Sequence, residues 1–223
     1  IGKIMALNKL KFNSINVTPS ASKAIRFNSD ADGFETASAG GNVALIKTQT
    51  ISSGTGTVSF VDGASSVVLD NTYKEYIFTF NNIHPSVNNA HFLFQGSVDT
   101  GSNYGVTITS SAFSTEHNEA DSSTDLSYQT SVDLAQSTSF QRITSSGSHS
   151  NDDCSVGILR LFEPSSTTFV KHFIITGNTV ADAYTVGTHI AGYFNSTSAI
   201  DAIQFKMASG NMDAGTITMY GVT

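Results

Sequence analysis

Apolar side chains recur at every second position through much of the chain. Tyr76, Phe78 and Phe80 share one face of a run whose other face carries Ile77 and Thr79. Phe92 and Phe94 stand opposite His91, Leu93 and Gln95, and Ile203, Phe205 and Met207 alternate with Gln204 and Lys206. A period of two places alternate side chains on opposite sides of an extended backbone, so each run reads as a strand with one face turned to a core. Such runs cover 43–51, 57–61, 76–81, 91–95, 104–108, 155–162, 169–176, 189–194, 202–207 and 216–221. Turn signals separate them: Asp62-Gly63, His84-Pro85, Thr100-Gly101, Glu163-Pro164, Gly177-Asn178 and Gly210-Asn211. About ten short strands divided by turns predict an all-β fold, an antiparallel β-sandwich or jelly-roll-like domain. The run 200–207 also fits a short helix, but strand fits its alternation better.

Three places modify this pattern. Gly157 interrupts the alternation of its run, which predicts a β-bulge there. Residues 109–154 form a long polar stretch with sparse apolar positions. Leu126 with Tyr128, and Val132 with Leu134, suit short paired strands, while 145–153 reads as an exposed loop. Gly54-Thr55-Gly56 reads as a hairpin turn, and Tyr220 suggests that the last strand packs into the core.

Residues 1–42 have a different character, and 39–42 (Ala-Gly-Gly-Asn) read as a hinge. The four residues ahead of Met5 are given no structural weight. Leu10-Lys11-Phe12-Asn13-Ser14 is echoed by Ile25-Arg26-Phe27-Asn28-Ser29, with Pro19-Ser20 between them and Asp32-Gly33 after the second copy. Two short strands do not enclose a core alone, so this segment reads as an extended arm that needs a partner surface. Charge separates the same way. Residues 1–47 hold six basic and three acidic groups, whereas the rest holds five basic and fifteen acidic ones. A basic arm ahead of an acidic body points to docking on an acidic protein surface or a sister copy, through Lys9, Lys11, Phe12, Lys23, Arg26 and Phe27. Six dispersed cations lack the clustering that phosphate backbones favour, so nucleic acid is not the expected partner. A solvated tail with incidental charge is the plainer reading.

Composition agrees with a β protein. Only 13% of residues are charged, against roughly 25% in ordinary domains, and fifteen Phe and seven Tyr supply core volume without any Trp. Cys154 is the single cysteine, so an intrachain disulfide is excluded and a packed thiol is expected. No apolar run approaches the roughly 20 residues of a membrane span, and no signal-peptide cleavage pattern follows the first ten residues. Glu116, His117, Asn118, Glu119, Asp121 and Asp125 are the densest set of oxygen and imidazole ligands. They lack the ordered acids and central Gly of a calcium loop, so a solvated acidic loop is expected. His149, Asn151, Asp152 and Asp153 repeat the signal more weakly. The six histidines show no paired zinc spacing, and those at 91, 172 and 189 are expected as hydrogen-bonded strand residues. No nucleophile elbow, facing carboxylate pair or phosphate loop is present, so neither catalysis nor a cofactor or metal is expected. Tyr104, Tyr184 and Tyr193 are candidates for stacking on a sugar, with packing as the alternative.

Three stretches carry a family resemblance: Leu45-Ile46-Lys47-Thr48-Gln49-Thr50; 73–85, ending Phe80-Asn81-Asn82-Ile83-His84-Pro85; and Ser209-Gly210-Asn211-Met212-Asp213-Ala214-Gly215-Thr216 leading to Tyr220-Gly221-Val222. Together they resemble virion structural and tail-fibre proteins of marine tailed bacteriophages, over most of residues 45–223. The resemblance implies a non-enzymatic subunit on a virion surface, in multiple copies, with other virion proteins (capsid or tail) as partners. Trimers are common among phage surface proteins of this kind. A capsid decoration, cement or tail-adaptor subunit is expected, and the alternative is a tail-tip module recognising a host surface glycan. The resemblance brings no catalytic residues with it.

Overall fold

The structure is a computed structural model that describes residues 23–30, 32–38 and 42–223. The chain separates into two units, Ile1–Asn42 and Val43–Thr223, and each is described by itself.

In the first unit, β1 (Lys23–Phe27) and β2 (Phe34–Ser38) pair antiparallel as a hairpin. The turn is built by Asn28, whose side-chain oxygen accepts from the amides of Asp32 and Gly33. An Asn that bonds its own backbone a few residues on is a local turn former, so the expected break at Asp32-Gly33 closes a hairpin. Over its described residues the arm is therefore two extended strands paired as a hairpin.

The second unit is a β-sandwich, and no helix occurs among its described residues. Its strands are β3 (Val43–Thr50), β4 (Thr57–Val61), β5 (Glu75–Pro85), β6 (Phe92–Ser97), β7 (Ile108–Asn118) and β8 (Thr124–Tyr128), followed by β9 (Gln141–Arg142), β10 (Ser155–Phe162), β11 (Lys171–Ala181), β12 (Tyr184–Phe194), β13 (Ala202–Met207) and β14 (Met212–Val222). One sheet has eight strands in the order β3-β14-β5-β10-β11-β12-β7-β8, and the other has four, β4-β13-β6-β9. All pairings are antiparallel.

The period-two runs build the core as read. Tyr76, Phe78 and Phe80 are buried on β5, Phe92 and Phe94 on β6, and Ile203, Phe205 and Met207 on β13. The Phe205 ring is the hub, with centroids of Phe60, Phe78, Phe80, Phe92 and Phe94 between 5.2 and 6.5 Å away. Edge and stacked contacts of this kind add roughly 0.5–1.5 kcal/mol per pair to the burial itself. Tyr76 keeps its hydroxyl satisfied inside the core by donating to the Asp70 carbonyl at 3.0 Å, and burial pushes its phenol up to about 12.

Several sequence expectations need correction. Residues 104–107 are loop, and the strand β7 only begins at Ile108. The stretch 109–154 contains this eleven-residue strand, unread because its inner face is made of small residues, Ser110, Ala112 and Ser114. Gly177-Asn178 is not a turn but the middle of β11; the reversal comes at Asp182, with φ 53°. Gly177 stands opposite Gly157, where a Cβ on Gly157 would meet the Thr176 carbonyl at 2.8 Å. His84-Pro85 ends β5 rather than separating two strands. Gly54 turns the chain at φ 85°, yet the segment joins strands of different sheets and is no hairpin. Leu93 and Gln95 are buried as well as Phe92 and Phe94, because segment 138–139 covers that face and accepts both Gln95 Nε2 bonds. Tyr220 is half-buried on the outer face, while Ile217 and Met219 carry the core contacts of β14. The bulge near Gly157 is present as a register shift between Ser155 and Gly157.

Candidate functional site

The residues expected to meet a partner lie in or ahead of the hairpin. Lys9, Lys11 and Phe12 fall outside the described residues, and Lys23 opens β1. Arg26 faces Glu35 directly across the ladder, with Nε 2.9 Å from Oε1. Its charge is thus locally balanced, and at this exposure such a pair is worth little in stability. Phe27 is 66% exposed and stacks on its cross-strand partner Phe34, centroids 4.9 Å apart. Ile25 is exposed as well. Phe34 completes the aromatic pair but is not among the residues expected to meet a partner; its register opposite Phe27 appears only once the turn closes.

The second candidate is a cleft of about 550 Å³ at one end of the sandwich, lined by Asn82, His84, Asn151, Asp152, Asp153 and Asp213, with Cys154 in its wall. Backbone irregularities shape it. The β5–β14 ladder slips between Met212 and Ala214 and again between Ala214 and Thr216, so Asp213 is an extra residue between the partners of Pro85 and His84. Asn82 has φ 52° and Gly215 φ 121° in the same region, and the β10 bulge lies beside it. Bulges redirect side chains out of the strict in–out alternation, which is how one cleft gathers residues from neighbouring positions.

Inside the cleft, His84 Nδ1 lies 2.6 Å from Asp213 Oδ1 and Nε2 lies 3.0 Å from the Ser150 carbonyl. Burial opposes a charge on this ring. The Ser150 carbonyl, the bond and charge of Asp213 and the charge of Asp153 outweigh it and raise the pKa above the ordinary histidine value. Asp153 is buried, and its Oδ2 accepts from the Asp182 amide at 3.3 Å. The Cys154 thiol is half-buried and points to Asn82 Oδ1 at 3.7 Å. With both ring nitrogens engaged by acceptors, His84 has no free lone pair with which to take a proton from that thiol. The chemistry on offer is hydrogen bonding by carboxylates and amides. Residues 145–153, expected as an exposed loop, partly line this cleft, with Gly147, Ser148 and Asp153 buried.

No protein-family model matches the chain, and no curated protein or solved structure matches it.

The remaining candidates are dispersed. The set at 116–125 forms the β7–β8 hairpin, where Asn118 Oδ1 accepts from the Ser122 and Ser123 amides and His117 Nε2 sits 3.2 Å from Asp121 Oδ1. Among the described residues, no three His, Cys, Asp or Glu side chains are placed to hold a metal ion. Arg142 Nη2 reaches the His91 ring at 2.7 Å, and burial together with that positive charge lowers the His91 pKa. His172 lies beside Tyr193, and His189 stacks on Phe113 at 4.8 Å. Tyr104 sits in the 98–107 loop, and Tyr184 and Tyr193 mark the two ends of β12, so the three do not form one platform. Asp99 organises that loop. The Asn103 amide, the Ser97 hydroxyl and the Asn103 backbone bring its carboxyl down to about 2. Phe113, Ile174 and His189 line a shallow depression of about 230 Å³ on the outer face of the large sheet.

Proposed function

We propose that this chain is a non-enzymatic structural subunit of a tailed-bacteriophage virion, displayed on the particle surface and attached through its N-terminal segment. The observation that carries the reading is the hairpin β1–β2, which offers Ile25, Phe27 and Phe34 to solvent. A two-stranded ribbon is marginal on its own in water, and its exposed aromatic pair gains by burial against another surface. Lys9, Lys11 and Lys23 add positive charge to the same segment, which suits an acidic partner such as a capsid or tail protein, or a sister copy in a homo-oligomer. The body, 43–223, has its own enclosed aromatic core and fits a displayed module.

Deleting 1–42 is expected to leave a folded body that no longer incorporates into particles. Replacing Phe27 and Phe34 together by Ser is expected to weaken incorporation strongly, and normal incorporation of both variants refutes the anchoring role. The cleft favours a second reading, a tail-tip module for a host surface glycan, because its amide and carboxylate lining suits hydroxyl groups. Binding of the isolated body to a glycan array, lost in Asn82→Ala, distinguishes it from the first.

A further inference from the structure

His84 joins three segments: its own strand β5, the bulge of β14 through Asp213, and the 144–154 segment through the Ser150 carbonyl. A carbonyl oxygen and an ionised carboxylate are both acceptors only, and a neutral imidazole owns a single N–H. One of the two contacts would then set lone pair against lone pair at hydrogen-bond distance. Only the imidazolium donates to both. The ring is 14% exposed, so water does not readily replace either partner.

We propose that His84 is a proton-dependent clamp, which when charged holds the 148–153 segment on the cleft and when neutral releases it. The titratable groups facing the ring come from every element around it. Asp213 belongs to β14; His149, Asp152 and Asp153 belong to the segment being held, Cys154 follows it, and Asp182, in the β11–β12 turn, meets Asp153 through its amide. The carboxylates favour the charge, and His149 is the other imidazole nearby, its centroid 6.3 Å away. The 148–153 segment has further ties to the body, the His149 amide on Asn88 Oδ1 and the Asp182 amide on Asp153 Oδ2, and within it the Asp153 amide donates to the same Ser150 carbonyl that His84 holds. Loss of the clamp therefore loosens the segment locally while the sandwich persists. It also removes a positive charge that offsets Asp213 and Asp153, so the cleft becomes wider and more acidic together.

A folded-state pKa above the unfolded value means that the contact contributes in full below about 6.5 and fades as pH rises through the raised folded value. The test is histidine-ring and amide NMR on the full chain from about pH 5 to pH 9, a range that spans histidine titration. Two protonated ring nitrogens are expected on His84 at pH values where a solvent-exposed imidazole is already neutral. The Asp153 amide is expected to lose roughly tenfold in exchange protection, beyond the intrinsic pH effect, in step with His84 titration. His84→Gln is expected to abolish that step and His149→Gln to retain it. A His84 ring that is a neutral tautomer near pH 6, or Asp153 protection that ignores its titration, overturns the clamp. Both readouts come from the unaltered chain, so a poorly folding His84→Gln variant leaves the decision intact.

Discussion

Gly215 adopts φ 121°, and a Cβ there would lie 2.7 Å from the Asn82 carbonyl oxygen and 2.9 Å from Ile83 Cδ1. It is the second glycine of the Ser-Gly-Asn-x-x-x-Gly-Thr ending, and it occupies the double slip that lets Asp213 reach His84. Replacing it with Ala imposes both a backbone conformation that L residues avoid and a clash with main chain. A loss of roughly 2–4 kcal/mol is expected, read from the shift in urea midpoint of the 43–223 body. Other single residues carry unusual environments without a partner charge. Lys171 is buried with its ammonium on the Ser196 carbonyl at 3.0 Å, and burial lowers its pKa. Gln141 is likewise buried, but fully served: it donates to the Val132 and Arg142 carbonyls and accepts from the Ser110 hydroxyl at 2.6 Å.

At the scale of elements, legibility tracked the period-two signal. Strands 57–61, 155–162 and 202–207 coincide with β4, β10 and β13: β4 and β13 alternate apolar with polar residues, and β10 is an apolar run ended by the Glu163-Pro164 turn signal. Strand β7 escaped because Ser110, Ala112 and Ser114 give its inner face no hydrophobic mark, and there the buried Gln141 accepts from the Ser110 hydroxyl. The Gly177-Asn178 dipeptide misled for the opposite reason, a turn signature serving close strand approach. The cleft was legible only as fragments, since bulges bring His84 and Asp213 together across 129 residues. The strand reading itself has a sharp test on β11, where neighbours face opposite ways. Ile175 is 1% exposed and Ile174 is 48% exposed. Ile175→Ala is expected to cost about 2–5 kcal/mol in urea denaturation, whereas Ile174→Lys should stay within about 0.5 kcal/mol. Similar losses from both would place β11 in a different layer.

The whole body is closed by joining its two ends. Strand β14 lies between β3 and β5, pairing Thr50 with Thr216 and Val43 with Val222 on one side and Phe78 with Met219 on the other. The Thr48 and Thr218 hydroxyls meet at 3.2 Å although 170 residues separate them. Without β14, strand β3 has no neighbour in the sheet, β5 loses one of its two ladders, and the core loses Met212, Ile217 and Met219, all buried. Each buried apolar side chain of that size is worth about 1.5–3 kcal/mol, and domains have only about 5–15 kcal/mol in total. A chain ending at Asn211 is therefore expected to show no cooperative urea transition and to lose its near-ultraviolet dichroism. The same topology governs kinetics. Sheet closure waits for residues at opposite ends of the body to meet, and non-local pairing of this kind gives refolding in roughly milliseconds to seconds or slower. Substitutions in the β3–β14 ladder distinguish early from late closure: Ile217→Val slows refolding if the ends meet in the transition state and speeds unfolding if they meet after it. Cooperative unfolding of 43–211 would show instead that β5 and β10–β12 suffice as a nucleus with a stable core of their own.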